Sequence, residues 1–424
     1  MNDTTEALLG FELAGNDNSD RLRSIERTHG RAMCAMAFSL QWQSTQARHT
    51  DQLIARKLNL WRDILPYELE PELMDKAVDH VARRKFAAGE LIVPYQPDLC
   101  FNLSQRAFHR RLRRHSHVEP RAGRFYPRAF ISGSRGIFPE EVLPFRVGSV
   151  SDDMLYCDLN NPLSDKALDV QARILDVWEA HEEHGGSCND VAEMITANGP
   201  GMQARWRDMP TDFWPDIPFA RLAGEADAAF YAMPRMVSHV DQTASEQISK
   251  LYRRLLPAGG RVLDLMASWE SHLPTTHGLG EIVGLGMNAE ELGANPLFSE
   301  HRVHDLNLQP ALPYATGEFD AVICSLSVEY LIRPFEVFAE VARVLRPGGR
   351  FIVTFSNRWF PPKAINAWQS MHEFERPGMV LEYFLRDGLF DRLETWSIRG
   401  LPRPADDKYA DRQADSDPVY AVWG

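Results

Sequence analysis

Groups that can move a proton or bind a polar ligand are concentrated in two short stretches of the second half of the chain. The first stretch contains Tyr231, Pro234, Arg235, His239 and Asp241. An imidazole or a carboxylate can accept a proton, and a phenol can donate a hydrogen bond, so this stretch has the groups for proton transfer. In the simpler alternative, Asp241 caps a helix and Tyr231 only packs.

The second stretch is Ser268-Trp-Glu-Ser-His-Leu-Pro274, which directly follows the apolar run 261–266. That run comes after Gly259-Gly260 and is typical of a buried strand. Polar groups at the end of such a strand are placed to contact a ligand. The alternatives are that Ser268 caps a helix, that Trp269 belongs to the core and that His272 is a hydrogen-bonded buried histidine.

The elements that must position these side chains alternate between helix and strand. Thr243 and Glu246 form a capping box for one helix, and Pro334 begins another that ends before Pro347-Gly-Gly349. Further short apolar runs lie at 281–287, 301–306, 319–326, 349–356, 393–399 and 419–424. This alternation predicts an α/β fold with a doubly wound, mostly parallel sheet and a ligand beyond the carboxyl ends of its strands.

Five fragments of residues 225–424 together carry a resemblance to a known family. They are Val262-Leu-Asp-Leu265, Ile282-Val-Gly-Leu-Gly286, Asp305, Phe319-Asp-Ala-Val-Ile-Cys-Ser325 and Arg343-Val-Leu-Arg-Pro-Gly-Gly-Arg-Phe351. In order and spacing they resemble the successive strands of the class I S-adenosylmethionine-dependent methyltransferases. The resemblance implies a seven-stranded Rossmann-like sheet, S-adenosylmethionine as cofactor and methyl transfer as the reaction.

The resemblance also implies where the cofactor lies, although this chain departs from the family at two points. The glycine positions of the family's first turn hold Met266, Ser268 and Glu270, and the position of the ribose carboxylate holds Gly286, two residues before Asn288. Either the domain is a relic that binds nothing, or it holds the same cofactor with different side chains; the polar stretch after 266 favours the second. The predicted cofactor-binding residues are Asp264, Met266, Ser268, Trp269, His272, Gly286, Met287, Asn288, Asp305, Leu306 and Ser325. The predicted catalytic residues are His239, Asp241, Tyr231 and Tyr330.

The acceptor is predicted to be a small molecule. The aromatic residues expected around it, which would form a small apolar pocket or simply core, are Trp269, Phe355, Trp359, Phe360 and Tyr330. A thiol or sulfide suits such a pocket because it ionises near neutral pH and loses little hydration, with His239 or Asp241 as base. The alternatives are O- or N-methylation of an aromatic metabolite and a non-catalytic interaction protein. A polar insertion, with Arg403, Asp406, Asp407 and Tyr409, is either an acceptor-recognition loop or an ordinary exposed loop.

The first half is predicted to contain a helical segment over 1–87, a β-rich module over 88–195 and a connector over 196–224. Helical spacing of Leu53, Ile54 and Leu58 supports the first, and strict alternation over 168–177 predicts an antiparallel strand. Residues 125–178 resemble part of the SlyD-type FK506-binding prolyl isomerases around Asn161-Pro162-Leu163, with Asp165 in place of the usual glycine. The aromatic pocket residues of that family also cannot be identified in 90–124, so these departures indicate a scaffold or lid derived from such a barrel and no isomerase activity.

Composition limits the partners. The 424 residues carry a net charge of -13, which disfavours nucleic acid as the main partner. The segment 106–135 is an exception to this negative charge, because it contains nine arginines. They form either a nucleic-acid patch or internal ion pairs. A zinc site at His181, His184, Cys188 and Asp190 is an alternative, but these residues lack a closed four-ligand pattern, so no metal is predicted. Five scattered cysteines indicate free thiols, and the absence of a signal or membrane-spanning pattern predicts a cytoplasmic protein, with a homodimer as the expected assembly.

Overall fold

The computed structural model describes residues 24–110, 118–180, 186–275 and 278–424. The strands, in chain order, are β1 (Ala32–Gln43), β2 (Arg48–Asn59), β3 (Val81–Phe86), β4 (Cys100–Ser104), β5 (Phe125–Pro127), β6 (Pro144–Val150), β7 (Met154–Asp158), β8 (Leu168–Glu179), β9 (Val262–Ala267), β10 (Ile282–Gly286), β11 (Glu300–Val303), β12 (Phe319–Ser325), β13 (Leu345–Ser356), β14 (Glu394–Arg399) and β15 (Val419–Trp423). The helices are α1 (Glu70–Leu73), α2 (Val191–Thr196), α3 (Asp227–Phe230), α4 (Gln242–Leu255), α5 (Ala289–Ala294), α6 (Pro334–Val344), α7 (Asn366–Gln369) and α8 (Glu375–Leu385).

Strands from both halves of the chain form one mixed sheet of eleven strands. Its order is β11-β10-β9-β12-β13-β15-β14-β2-β1-β8-β3. Strands β9 to β13 are parallel to one another, and β15 lies antiparallel between β13 and β14. The predicted α/β architecture of the second half is confirmed, but the predicted seven-stranded sheet is too small because four strands from the first half extend it beyond β14.

The predicted helical segment over 1–87 is wrong for its described part. Residues 24–87 form β1, β2 and β3 and only the single-turn helix α1. Strand β1 is hydrogen-bonded on both edges, by β2 and β8, and nearly all of its side chains are buried. A strand buried on both faces loses its polar alternation, so the apolar positions of this region fit a helical period equally well.

The predicted β-rich module contains a separate four-stranded antiparallel sheet, β4-β7-β6-β5. The alternating segment 168–177 is confirmed as the antiparallel strand β8, but β8 belongs to the large sheet, between β1 and β3. The predicted domain boundaries at 87 and 195 therefore do not coincide with the division of the strands between the two sheets. The SlyD-type resemblance of this module remains a prediction from sequence.

Buried polar contacts join the first half to the second. Asp51 on β2 accepts hydrogen bonds from the Trp42 indole at 2.9 Å, the Gln203 amide at 3.0 Å and the Ser397 hydroxyl at 2.8 Å. Along the parallel β2-β14 pairing, the Trp396 indole also donates to the Gln52 side chain at 3.1 Å. The carboxylate is thus shared by β1, β2, β14 and the connector, which fixes their relative positions.

Most described members of the arginine-rich segment pair within the chain. Arg124 is buried and forms an ion pair with Glu375 at 2.7 Å, Arg121 with Asp212 at 3.2 Å and Arg110 with Glu119 at 2.7 Å. Internal pairing is the alternative that this geometry favours. Arg111, Arg113, Arg114, His181 and His184 lie outside the described residues. No helix within the described ranges is both long and apolar enough to cross a membrane.

Candidate active site

A cleft of about 980 Å³, including its open mouth, lies beyond the carboxyl ends of β9, β10 and β12. Its walls come from the turns after these strands and from residues 227–239, which we call the cover segment. All predicted site residues except Asp241 and Trp269 line it: Tyr231, His239, Asp264, Met266, Ser268, His272, Gly286, Met287, Asn288, Asp305, Leu306, Ser325 and Tyr330. The chain therefore folds these distant residues into one cavity, at the position where a doubly wound sheet binds its ligand.

Two side chains that line this cleft, a carboxyl and a guanidinium, each have a buried atom without a hydrogen-bond partner among the described residues. Asp264 on β9 is 2% exposed, and none of the described residues donates a hydrogen bond to its Oδ2 atom. Arg235 of the cover segment donates from Nη2 to the Phe230 carbonyl at 2.9 Å, while its buried Nη1 has no partner among the described residues. Buried polar atoms without partners are costly, so both groups suit a ligand that carries an ammonium and a carboxylate.

The backbone around the cleft is strained and close-packed. Met266, His272 and Leu326 have φ angles of +58°, +55° and +52°, a region that non-glycine residues rarely occupy. Met266 thus adopts, with a side chain, the left-handed conformation that suits the glycine of the family's turn. At Gly286 an added Cβ would lie 2.1 Å from the Ala267 carbonyl oxygen, so β9 and β10 approach too closely for any other residue.

A polar cluster occupies the region after β10. The Asn288 side-chain oxygen accepts hydrogen bonds from the backbone of Glu290 and Glu291, and so caps α5. Its amide donates to the Tyr231 carbonyl at 2.9 Å and to the carbonyl of the next residue at 3.2 Å. Because its oxygen and its amide nitrogen are both engaged, the Asn288 side chain has no group left for the predicted contact with the ribose. It positions the cover segment instead.

Glu291 is the carboxylate that faces the cleft in this region, and sequence reasoning missed it. It accepts hydrogen bonds from the Ser268 hydroxyl at 2.7 Å and from the Arg235 backbone at 2.6 Å. An acidic residue in the first turn of a helix is expected only to interact with the helix dipole. Its position in the sequence therefore does not indicate that Glu291 also contacts Ser268 and Arg235. Glu291 links the β9 turn, α5 and the cover segment.

Two of the three histidines that line the cleft, His239 and His272, are held neutral. Burial lowers the pKa of His239, against the opposing influence of Glu291 and Glu270. Burial also lowers the pKa of His272, whose Nδ1 lies 2.7 Å from the Ser245 hydroxyl. The His239 ring meets Phe360 edge to face, with 5.5 Å between ring centres. A neutral imidazole beside an aromatic wall can accept a proton from a bound molecule.

The far side of the cleft carries Asp305 and Tyr330. One Asp305 carboxylate oxygen accepts hydrogen bonds from the backbone of Asn307 at 2.9 Å and Leu308 at 3.2 Å. The Tyr330 hydroxyl accepts a hydrogen bond from the Phe360 backbone at 2.9 Å, and burial raises its pKa well above the usual range. Tyr330 therefore stays protonated at neutral pH and cannot serve as the base.

Asp241 does not line the cleft, which corrects its predicted catalytic position. Its carboxylate accepts from the backbone of Ala244 at 3.0 Å, which makes it the N-cap of α4, and from the backbone of Asp417 at 2.6 Å. Its Oδ2 also lies 3.2 Å from the Arg403 guanidinium, and both side chains are almost fully buried. The insertion between β14 and β15 thus anchors α4, through the arginine that the sequence marked as a candidate for acceptor recognition.

Trp269 and two other predicted aromatics also have positions away from the cleft. The Trp269 indole donates to the Val237 carbonyl at 3.3 Å and so braces the cover segment from outside. Phe355 is fully buried against Trp368, with ring centres 5.1 Å apart, and Trp359 stacks under Arg376 at 4.1 Å. Of the predicted aromatic set, only Tyr330 and Phe360 face the cavity.

The comparison with known protein families gives a match in the second half of the chain. Residues 271–353 match the model of a methyltransferase domain family. A malonyl-[acyl-carrier protein] O-methyltransferase of Marinomonas sp. (strain MWYL1) is 27% identical over 90 residues, which are 21% of this chain and 32% of that protein. The chain thus spans about a third of the length of this curated relative.

Solved structures with similarity to the chain include two methyltransferase-related chains. One comes from the complex between the Haloferax volcanii Trm112 methyltransferase activator and a methyltransferase, at 19% identity and a TM-score of 0.30, covering 42% of this chain and 89% of the other. The second is an S-adenosylmethionine-dependent methyltransferase of Mesorhizobium loti, at 18% identity and a TM-score of 0.28, covering 43% and 98%. By the match over 271–353, the second half of this chain carries a methyltransferase domain, and the cofactor of such a domain is S-adenosylmethionine.

Proposed function

We propose that this protein transfers a methyl group from S-adenosylmethionine to the sulfur of a small thiol or of hydrosulfide. The observation that carries the methyltransferase part is the pair of unsatisfied groups in the cleft, Asp264 Oδ2 and Arg235 Nη1. They complement the ammonium and carboxylate of the cofactor's amino acid end. Asp305 is the proposed partner of its adenine, and Glu291 replaces Asn288 as the proposed partner of its ribose.

When bound, the cofactor supplies a methyl group that its sulfonium has already activated. The protein then has to position the acceptor, exclude water and remove the acceptor's proton. Phe360 and, from the cover segment, Tyr231 provide apolar surface in the cleft. Burial raises the pKa of Tyr231 and keeps its hydroxyl protonated. In this proposal the neutral ring of His239 would accept the thiol S–H proton as the sulfur takes the methyl group; the bond from the methyl group to the cofactor's sulfonium would break and leave S-adenosylhomocysteine.

A histidine base predicts a specific pH dependence for thiol methylation. At pH 7 a free thiol, with a pKa near 8.5, is mostly protonated, so His239→Ala should lower the rate about 100-fold. Above pH 9 the thiol ionises unaided, and the variant should approach the wild-type rate. The matched control is His304→Ala, in the same cleft, whose Nε2 is 2.7 Å from the Gln309 carbonyl. If His239→Ala lowered the rate of thiol methylation equally at all pH values, His239 would not be the base.

The identity of the acceptor is tested with a panel assayed on the full chain. The panel contains hydrosulfide, methanethiol, a set of phenols and aromatic amines, and a malonyl thioester, the last suggested by the name of the curated relative. Methylation of the sulfur compounds supports the proposal. Methylation of phenols, amines or the free carboxylate with none of any thiol would replace it with O- or N-methylation. No methylation of any acceptor by a protein that binds the cofactor would favour the non-catalytic alternative.

A further inference from the structure

We propose that a second cavity, remote from the cleft, binds a small organic anion through Arg146. This cavity of about 740 Å³ lies between the four-stranded sheet and residues 201–207, and we call it the module cavity. It shares no lining residue with the cleft. Nothing in the proposed methyl transfer uses it.

Arg146, on β6, is a buried cation without an ionic partner in the described part of the chain. The residue is 7% exposed, and its Nη2 donates to the Ala204 carbonyl at 2.6 Å. Its Cζ lies 4.1 Å from the centre of the Phe125 ring, and its buried Nε has no hydrogen-bond partner among the described residues. Burial lowers the pKa of Arg146 to about 10, so the side chain is still charged at neutral pH. The carboxylates of Glu375, Asp158 and Asp165 offset the effect of burial only in part. A buried charge without an ion-pair partner is unfavourable, and a bound anion would lower that cost.

The carboxylate opposite Arg146 on the neighbouring strand is already committed to other donors. Asp158 lies directly opposite Arg146 in the β6-β7 register. Its Oδ1 accepts from the backbone and the side chain of Asn160, at 2.9 and 2.8 Å, and its Oδ2 accepts from the Trp206 indole at 3.1 Å. Asp158 therefore fixes the wall of the cavity, and it forms no ion pair with Arg146 within the described part of the chain.

The remaining walls indicate an organic body next to the anionic group. Trp206 and Tyr95 line the cavity, and the Arg207 guanidinium lies 4.5 Å from the Trp206 ring centre and donates to the Tyr95 hydroxyl at 3.0 Å. Lys166 is at the same cavity, 3.2 Å from Asp165. Aromatic faces with a guanidinium stacked on one of them suit a planar ligand that carries a carboxylate or a phosphate.

The test is calorimetric titration of the full chain with benzoate, phenyl phosphate and inorganic phosphate at constant ionic strength. We expect benzoate or phenyl phosphate to bind more tightly than inorganic phosphate. Arg146→Gln should weaken that binding at least tenfold, and Arg207→Gln, at an exposed side chain, should weaken it severalfold. Arg106→Gln, an exposed arginine of the same module, is the matched control and should bind as the wild type does.

S-adenosylhomocysteine binding at the cleft should be the same in all these proteins, which separates this proposal from the proposed function. If Arg146→Gln does not fold, Arg207→Gln alone decides. The proposal is overturned if no probe binds at millimolar concentration, if inorganic phosphate binds as tightly as the aromatic anions, or if binding survives both substitutions.

Discussion

Asp264 should make the stability of this protein depend on pH in an unusual direction. Burial raises the pKa of its carboxyl to about 7, and a hydrogen bond from Ser271 only partly opposes this. In the unfolded chain an aspartate has a pKa near 3.9. Between about pH 4 and pH 7, the folded protein therefore holds a proton that the unfolded chain has released.

The sign and size of the effect follow from proton linkage. When the folded state binds more protons than the unfolded state, the free energy of unfolding falls as the pH rises. A pKa difference of about 3 corresponds to about 4 kcal/mol, lost across this window at up to about 1.4 kcal/mol per pH unit. Above pH 7 both states are ionised, so the loss is complete and the free energy of unfolding no longer changes through this group.

The assay compares wild type with Asp264→Asn, which cannot titrate at this position. Urea unfolding at pH 5, 6, 7 and 8, followed by circular dichroism, gives the stability difference between the two proteins. Relative to the wild type, the free energy of unfolding of the variant should rise by about 2 to 3 kcal/mol between pH 5 and pH 7 and change little above pH 7. Burial also raises the pKa of Glu329 to about 7, but both proteins share that contribution and it cancels in the difference.

Ser271→Ala provides a second check on the same reasoning. It removes the hydrogen bond that lowers the pKa of Asp264, so its loss of stability should extend to higher pH than that of the wild type. A stability difference between wild type and Asp264→Asn that stays constant from pH 5 to pH 8 would refute the assignment of a buried carboxyl with a raised pKa.

Two further substitutions have clear expected outcomes. Gly286→Ala should destabilise the protein by more than about 2 kcal/mol and abolish S-adenosylhomocysteine binding, because its Cβ would clash with the Ala267 carbonyl. Gly293→Ala in α5 is the control: nothing lies within 4 Å of the added Cβ, so its stability should be unchanged or slightly higher. Urea unfolding measures the stability of both variants, and calorimetric titration measures their binding. Asp51→Ala should lower the free energy of unfolding in urea by about 3 kcal/mol or more, because three donors lose their acceptor. Asp152→Ala, at an exposed residue, is the control. Equal losses for the two variants would contradict the role of Asp51 in joining the two halves of the chain.

The second half was largely predictable because its strands are short apolar runs bounded by glycine and proline. The predicted runs 281–287, 319–326 and 419–424 correspond to β10, β12 and β15. In a parallel sheet, residues at the ends of neighbouring strands must meet, so Asp264 and Asp305 could be placed in one cleft without a structure. The same pattern cannot tell that a sheet continues into another part of the chain, which is why β1 and β2 were missed.

The details of the cleft depend on contacts that sequence spacing does not encode. Asp241 and Asn288 were candidates because of their type and position, but their oxygens cap α4 and α5. The pairing of Glu291 with Ser268 and with the cover segment joins residues far apart in sequence, with no local pattern to indicate it. A homodimer and a cytoplasmic location remain predictions from the sequence alone.

The most direct test of the central claim is calorimetric titration of the full chain with S-adenosylhomocysteine. Binding in the micromolar range is expected for the wild type. Asp264→Asn and Arg235→Gln should each weaken it at least tenfold, because both residues line the cleft and each has a buried atom without a hydrogen-bond partner among the described residues. Arg106→Gln, outside the cleft, should bind like the wild type. Absence of binding by the wild type at high micromolar concentration, or binding unchanged in both cleft variants, would contradict the assignment of this cleft as the cofactor site.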